Sequence, residues 1–233
     1  MYAERCALDI RNSFFLHNYA TFHTGAPYLH LPPSAVISNT VFQWNVAGHA
    51  GALPIFSDRD VYLRDSLLAS NVAVEPLGIV GGALIENYSQ SFLDNLTILH
   101  NVSSGYFGGL SVIGTATYHR LTVRHNRVRL HVGGFLLSSD HGLVADSLIE
   151  DNLVRSTNAL AGVAGGLYCA GNIQLLSLVS PFTIRRNQAA LSGGIYLDPF
   201  STIRLVATKP ALPSSSTTIP PTPVARSSPI AQI

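Results

Sequence analysis

The sequence predicts an all-β chain that folds as a right-handed, single-stranded parallel β-helix of about seven coils. Three observations predict this class: a phrase that recurs seven times, short β-branched or alternating apolar runs within each recurrence, and turn residues between the runs. We expect residues 1–206 to form the repeat domain. Residues 207–233 are rich in Pro, Ser and Thr and are expected to form a disordered tail.

Each recurrence is marked by an asparagine and, six or more residues later, by glycine. Three copies read LTILHNVSSGYFGGL, LTVRHNRVRLHVGGF and FTIRRNQAALSGGI. Successive asparagines lie 27, 26, 30, 25, 26 and 35 residues apart, which suits one coil of a solenoid per recurrence. The seven asparagines are Asn18, Asn45, Asn71, Asn101, Asn126, Asn152 and Asn187.

The spacing within each copy has a physical cause in a β-helix. The asparagine is expected at a bend, where its amide bonds its own turn and the asparagine of the adjoining coil, so that the seven form a ladder. Large apolar residues are expected to stack on one another in the narrow core: Phe15, Phe42, Leu96, Leu121 and Phe182. The glycine pair is expected to permit positive φ and to remove Cβ atoms, and the residue after it to return to the core.

Two other repeat classes fit less well. Helical solenoids need apolar residues at helical spacing over two stretches per unit, and these are missing. LTILHN and LTVRHN match the LxxLxxN phrase of leucine-rich repeats, but that consensus has no glycine pair six or seven positions later. A parallel β-helix remains the better reading.

The phrase resembles the FxxN and GGA(I/L/V) repeats of the polymorphic outer membrane proteins. Clean FxxN copies are Phe15–Asn18 and Phe42–Asn45, and GGA-like copies include Gly81-Gly82-Ala83 and Gly108-Gly109-Leu110. The resemblance covers roughly residues 12–205. It implies a pectate-lyase-like right-handed β-helix on a cell surface, often with an adhesive role.

Composition narrows the function classes. Apolar residues make up 47% and charged residues 12%, and the net charge is +1, so no nucleic-acid partner is expected. No apolar run reaches the roughly 18 residues of a membrane-spanning helix. No secretion signal is visible in MYAERCALDI, so either the protein stays inside the cell or the chain is a fragment. From the resemblance we expect an extracellular or cell-surface location.

The favoured function is a non-catalytic adhesive or structural module that contacts glycans or other surface proteins through lateral sheets and loops. The alternative is a polysaccharide lyase or glycoside hydrolase on the same fold, an argument by analogy. Asp58 and Asp60 could approach Asp94 across neighbouring coils, and Asp140-His141-Gly142 resembles a GHG element of pectin hydrolases. We predict no catalytic residue and no cofactor.

Two groups of side chains are candidate binding sites. Arginine forks suit carboxylate or sulfate groups, so an anionic glycan could dock on Arg120, Arg124, Arg127 and Arg129, the alternative being a solvated basic face. His100, His125 and Asp151 each precede a ladder asparagine and should stack at coil spacing. Such a column could hold a divalent ion, but stacked imidazoles are commoner and we predict no metal.

Insertions, cysteines and sequons each lead to a structural expectation. The lengthened segments 72–78, 153–162 and 170–181 are expected to leave the coil as loops on one side. Cys6 and Cys169 should be free, because several coils separate them. Asn101 of the sequons should be buried, whereas Asn87 and Asn95 could carry glycans on a secretory route.

Overall fold

The computed structural model describes residues 1–74, 78–156 and 161–207, which form a parallel β-solenoid of about seven turns. The predicted all-β fold is thereby confirmed. Ala207, which the sequence analysis placed in the tail, is the last residue of the final strand, and the rest of the predicted tail lies outside the described residues.

The strands are β1 (Tyr2–Glu4), β2 (Leu8–Arg11), β3 (Phe14–Leu16), β4 (Tyr19–Ala20), β5 (Tyr28–His30), β6 (Ala35–Ser38), β7 (Val41–Gln43), β8 (Val46–Ala47), β9 (Leu53–Ser57), β10 (Val61–Ala69), β11 (Val72–Ala73), β12 (Ala83–Leu99), β13 (Val102–Ser103), β14 (Leu110–His119), β15 (Thr122–Arg124), β16 (Arg127–Val128), β17 (Phe135–Ala145), β18 (Leu148–Glu150), β19 (Leu153–Val154), β20 (Leu167–Ser177), β21 (Thr183–Arg185), β22 (Ile195–Leu197) and β23 (Thr202–Ala207).

Each coil has four faces, which are clearest in the coil of Asn101. Residues 83–87 form face 1, residues 90–94 form face 2, residues 96–99 form face 3, and residues 102–103 form the short face 4. Faces 1 to 3 of all coils join in one sheet of 17 strands, because long strands such as β12 run around two corners. Face 4 forms a separate sheet of six strands.

Equivalent residues of successive coils pair in parallel and so form columns along the helix axis. The residue three before each asparagine forms one such column on face 3, consisting of Phe15, Phe42, Leu68, Ile98, Val123, Ile149 and Ile184. Its middle members are fully buried, and the rings of Phe15 and Phe42 stack at a centroid distance of 5.2 Å. Stacking in registered columns therefore builds the core.

One part of the predicted core stack is wrong. Leu96 pairs with Ser66, and the N–H of Leu121 donates to Ser147 Oγ, so these leucines belong to a different column from Phe15 and Phe42. Phe182 directly precedes Thr183, which pairs with Leu148, and therefore joins the leucine column. The two columns are two residues apart on face 3, because side chains on a strand point inward at every second position.

The seven asparagines form a continuous hydrogen-bonded ladder. Asn71 donates to Asn101 Oδ1 from its backbone N–H at 3.0 Å and from Nδ2 at 2.9 Å, and the same pair of bonds links every successive rung. The second Nδ2 proton of Asn101 goes to the carbonyl of Leu68 in the preceding coil. Asn101 is completely buried, and each polar group of its amide is satisfied.

The sharp bend of the chain lies one residue before each asparagine. His17, Trp44, Ser70, His100, His125, Asp151 and Arg186 adopt φ between 54° and 57°. A second left-handed corner joins face 2 to face 3 at Asn12, Asn39, Asp65, Asn95, Arg120 and Asp146. Glycine occurs at neither corner. The corner between face 2 and face 3 was not predicted from the sequence. The Asn and Asp residues there are a signal that could have revealed it, since these types tolerate this conformation.

Of the two purposes predicted for the glycine pairs, positive φ and the removal of Cβ atoms, only the second is confirmed. None of them has positive φ; positive φ among the described glycines occurs at Gly114 and Gly171. Instead, a Cβ on Gly109 would lie 2.5 Å from the carbonyl oxygen of Gly134 in the next coil. Glycine is required because two backbones approach too closely for any side chain. The residues that follow the pairs do return to the core, as predicted.

The predicted loop at 170–181 is mostly coil wall. Residues 170–177 belong to β20, which pairs with β17 on one side and with β22 and β23 on the other. Ile173 and Leu175 are buried in the core, so the alternating pattern of this segment marks a strand. The other two lengthened segments follow face 4, and their central residues, 75–77 and 157–160, lie outside the described residues.

The predictions for cysteines and sequons have mixed outcomes. Cys6 is exposed and Cys169 buried, and both are free as predicted. Asn101 is buried as expected, but so is Asn87, whose Nδ2 donates to Ser91 Oγ, which corrects its proposed glycan role. Asn95 is exposed.

No helix with the length and hydropathy to cross a membrane occurs among the described residues.

Candidate functional site

A groove on face 2, which we call the face-2 groove, is lined mainly by polar side chains. Its volume is about 490 Å³, within the range of about 300–1,000 Å³ typical of ligand sites. It is lined by Gln90, Thr115, Thr117, His141, Gly142, Leu143, Asn172, Ile173, Gln174, Thr202 and Arg204. These residues come from four successive face-2 strands and from Gln90 of a fifth, so the groove follows the helix axis.

Strand register explains how the groove is built. One outward column runs through Phe92, Thr117, Leu143, Gln174 and Arg204, because these residues pair across β12, β14, β17, β20 and β23. A parallel outward column contains Gln90, which pairs with Thr115, and Asn172, which pairs with Thr202. Polar side chains of the second column therefore repeat about every 4.8 Å along the axis, whereas the apolar Leu143 interrupts the first column. A linear polymer of polar units could bond to them in succession.

An aromatic pair closes one end of this polar surface. The rings of Tyr62 and Phe92 stack at 4.8 Å with an interplanar angle of 8°, and 41% and 37% of the two residues are exposed. Since Tyr62 covers one side of the Phe92 ring, the other side faces the next coil, where Thr117 lines the groove. An exposed ring face beside amide and hydroxyl groups can pack against the C–H surface of a sugar while those groups bond its hydroxyls.

The charged groups of the face-2 groove do not favour hydrolysis of a glycosidic bond by a pair of carboxyl groups. None of its eleven described lining residues is Asp or Glu, and the ionisable ones are His141 and Arg204. Hydrolysis of a glycosidic bond ordinarily uses a pair of carboxyl groups on opposite sides of the bond. His141 brings the GHG-like segment to the groove, and its backbone N–H donates to Ser139 Oγ.

The structure does not bring the candidate acids together. Asp60 accepts hydrogen bonds from Ser89 Oγ at 2.8 Å and from the N–H of Gln90 at 3.3 Å. Asp58 lies beside Arg59 at the surface. Asp94 is four residues further along the strand from Gln90, a separation of about 13 Å. Asp60 and Asp94 are therefore too far apart to share a ligand atom.

Asp94 instead takes part in a cluster that crosses three coils. Its Oδ1 lies 3.1 Å from His119 Nδ1, and His119 Nε2 lies 3.1 Å from Asp146 Oδ2. The other oxygen of Asp146 accepts backbone N–H groups of Leu178, Val179 and Ser180. The side chain of Asp146 is only 1% exposed. The cluster therefore anchors the turn that follows β20, a structural role that no spacing of these residues indicated.

The pKa of Asp146 has opposing causes. Burial alone raises the pKa, but hydrogen bonds from Val179, Leu178, Ser180 and His119 outweigh it and lower the pKa below its ordinary value of 3.8. A lowered pKa in the folded state contributes stability above pH 3.8, and this stability is lost as the pH falls through the lower folded value.

Substitution of Asp146 by Asn should consequently have a pH-dependent effect. We expect a lower Tm than in the parent protein at pH 7 and a gap that narrows as the pH falls below about 4. Thermal unfolding by circular dichroism at a series of pH values measures the gap. Asp140→Asn, a change at an exposed neighbouring acid, should leave the Tm unchanged throughout. A gap independent of pH would contradict the charge-based explanation.

The predicted histidine column exists in part. The rings of His100 and His125 stack at 4.9 Å, and His125 Nε2 lies 4.0 Å from Asp151 Oδ2. Burial, His125 and two nearby arginines lower the pKa of His100. Arg186 bonds both carboxylate oxygens of Asp151 at 2.8 Å. Within the described part of the chain, no group of three His, Cys, Asp or Glu residues is placed to hold a metal ion.

The four candidate arginines are divided between separate parts of the surface. Arg120 Nη2 donates to Asp94 Oδ2 at 2.6 Å, and Arg124 lies on face 3, 4.0 Å from Glu150 Oε1. Arg127 and Arg129 lie on face 4, where they line a second cavity together with Arg155. A ligand on face 4 would thus meet a different set of arginines from the predicted one, and the glycan role of the original four stays a prediction.

The cavity on face 4, which we call the valine–arginine groove, has a volume of about 270 Å³. It is lined by Val72, Ala73, Val74, Val102, Ser103, Ser104, Arg127, Val128, Arg129 and Arg155. The sequence alone does not reveal this groove, because valines of two coils and arginines of two later coils come together only when the coils stack.

The thiols are poor candidates for chemistry. Burial raises the pKa of Cys169 to about 12, so its reactive thiolate form is rare at neutral pH. Cys6, at the surface, lies 3.2 Å from the carbonyl oxygen of Glu4.

Comparisons with protein-family models, with curated proteins and with solved structures find no match to this chain. Its class is that of its architecture, a parallel β-solenoid of about seven turns.

Proposed function

We propose that this chain is a non-catalytic, extracellular or cell-surface β-helix module with an adhesive or structural role, which holds a linear glycan along the face-2 groove. The observation that carries the proposal is the axial repetition of amide and hydroxyl side chains beside an exposed aromatic pair. The FxxN and glycine-pair phrases, which resemble polymorphic outer membrane protein repeats, support the surface placement. The absence of Asp and Glu from the described lining favours binding over bond cleavage.

The geometry also supports an extended ligand over a compact one. Four coil steps of about 4.8 Å give the groove a length of about 19 Å along the axis. Polar side chains occur at both ends of this length, Gln90 at one and Thr202 and Arg204 at the other. A short oligosaccharide can contact all of them, whereas a monosaccharide would reach only one or two coils.

Affinity electrophoresis through gels that contain defined polysaccharides tests the proposal. Neutral xylan, mannan and β-glucan should be compared with acidic polygalacturonate, alginate and chondroitin sulfate. We expect at least one of them to retard the protein, and Phe92→Ala or Gln174→Ala to weaken that retardation about tenfold or more, because Gln174 lines the groove and Phe92 lies at its end, paired with the lining residue Thr117.

Phe14→Ala is the matched control, since Phe14 is an exposed phenylalanine on face 3, away from the groove. Equal behaviour of the Phe14 and Phe92 variants, or no retardation by any polysaccharide, would exclude the proposed site. The same polysaccharides test the enzyme alternative. New reducing ends or ultraviolet-absorbing unsaturated products, lost on substitution of Asp58, Asp60 or Asp94, would establish a hydrolase or lyase.

A further inference from the structure

The valine–arginine groove changes chemical character along the helix axis. Val72 pairs with Val102, and Val102 pairs with Arg127, so one outward column passes from apolar to cationic. The second outward column does the same, from Val74 through Ser104 to Arg129 and Arg155, as the backbone hydrogen bonds of successive coils show. A matching ligand must combine an apolar part with a negative charge beside it.

The cationic half of this groove has charge to offer a ligand. Arg127 and Arg155 are exposed, and in the described part of the chain neither takes part in an ion pair. No Asp or Glu occurs among the described lining residues. An arginine fork binds a carboxylate through two parallel hydrogen bonds, and arginine is enriched where protein surfaces meet partners.

The size of the groove limits the occupant. At about 270 Å³ it falls just below the range of about 300–1,000 Å³ that encloses whole small molecules. It is large enough for one or two side chains of a longer segment that continues over the surface.

From these observations we propose that the valine–arginine groove docks an extended acidic polypeptide segment of a partner protein. An apolar side chain of the segment lies against Val72, Val74 and Val102, and neighbouring carboxylates pair with Arg127 and Arg155. This site is on a different face from the face-2 groove and is independent of the glycan proposal. It would let the module join a protein partner while face 2 holds a glycan.

Fluorescence anisotropy with synthetic peptides tests the docking. The probe is a set of labelled short peptides in which a leucine lies two residues from a pair of glutamates, compared with versions carrying glutamine for glutamate or serine for leucine. We expect saturable binding of the parent peptides only, weakened as salt is raised because the arginines are exposed. The double variant Arg127→Ala, Arg155→Ala should bind about tenfold more weakly or worse.

Matched controls separate docking from loss of the fold. Val102→Asp places a negative charge in the groove and should reduce binding about tenfold, whereas Val46→Asp, in the same outward column but outside the groove, should not. Arg59→Ala removes an exposed arginine elsewhere and should bind like the parent protein. Each variant must keep the parent circular dichroism spectrum.

Three outcomes would overturn the proposal. They are failure of every acidic peptide to bind, equal binding of the glutamine versions, and unchanged binding by the Arg127, Arg155 double variant. Binding of chondroitin sulfate that is lost in the double variant, without peptide binding, would assign the groove to an anionic glycan instead. Unaltered retardation of the Val102 variant by polysaccharide gels would show that face 2 is a separate site.

Discussion

Replacement of Asn101 by alanine should lower the free energy of unfolding by about 3–5 kcal/mol, since each buried polar group that loses its partner costs about 1–3 kcal/mol. Asn101 Oδ1 accepts two hydrogen bonds from Asn71, and its Nδ2 donates to Leu68 O and Asn126 Oδ1. Alanine would leave two N–H groups of Asn71 and the Leu68 carbonyl without these bonds in a water-free core. Urea denaturation followed by circular dichroism measures the loss.

Asn95→Gly serves as the control for this substitution. Asn95 is an exposed asparagine of the same coil, whose side chain bonds Asp65 at the surface, and glycine tolerates its φ of 52°. We expect a change below about 1 kcal/mol, because water replaces the lost bond. A similar loss from both variants would mean that burial of the ladder is not what makes its amides important.

Gly109→Ala should be strongly destabilising although it adds a single methyl group. The new Cβ would lie 2.5 Å from the carbonyl oxygen of Gly134 and 3.0 Å from Asn126 Nδ2, so adjoining coils would have to separate. Overpacking of this kind costs about 1–3 kcal/mol, and we expect at least the upper value because backbone is the obstacle and the strained contact disturbs the ladder as well. Thermal and urea unfolding report the change.

The last coil provides the matched control for Gly109. A Cβ on Gly194 would meet no atom within 4 Å, so Gly194→Ala should be neutral or should stabilise the protein by up to about 1 kcal/mol through the unfolded state. Equal destabilisation by both substitutions would contradict the steric explanation and would point to backbone conformation instead.

Periodic features of the chain were predictable because a solenoid converts sequence spacing directly into position. The asparagines and the residues three before them recur once per coil, and the structure stacks each set in one column. Leu96 and Phe182 were assigned to the wrong column, because a displacement of two residues keeps a side chain inward while changing its neighbours. Periodicity therefore identified the fold better than it identified individual contacts.

The candidate sites were much less predictable. Arg120 and Arg127 are close in sequence, yet the intervening turns place them on different parts of the surface, and Arg120 is held by an aspartate 26 residues earlier in the chain. The face-2 groove combines Gln90 with Gln174 and Arg204, which no local motif connects. Such sites depend on the number of residues in every intervening coil, and insertions change that number.

The amino-acid sequence by itself determined the parallel β-helix, the place of each ladder asparagine and the freedom of both cysteines. These follow from repetition, because identical turns can satisfy buried amides and fill a narrow core only when they stack in register. Only the tertiary structure decided which of the two expected reasons for the glycines holds and which polar side chains share a groove. Both depend on distances between coils, which are set by backbone packing and by the register of residues far apart in the chain.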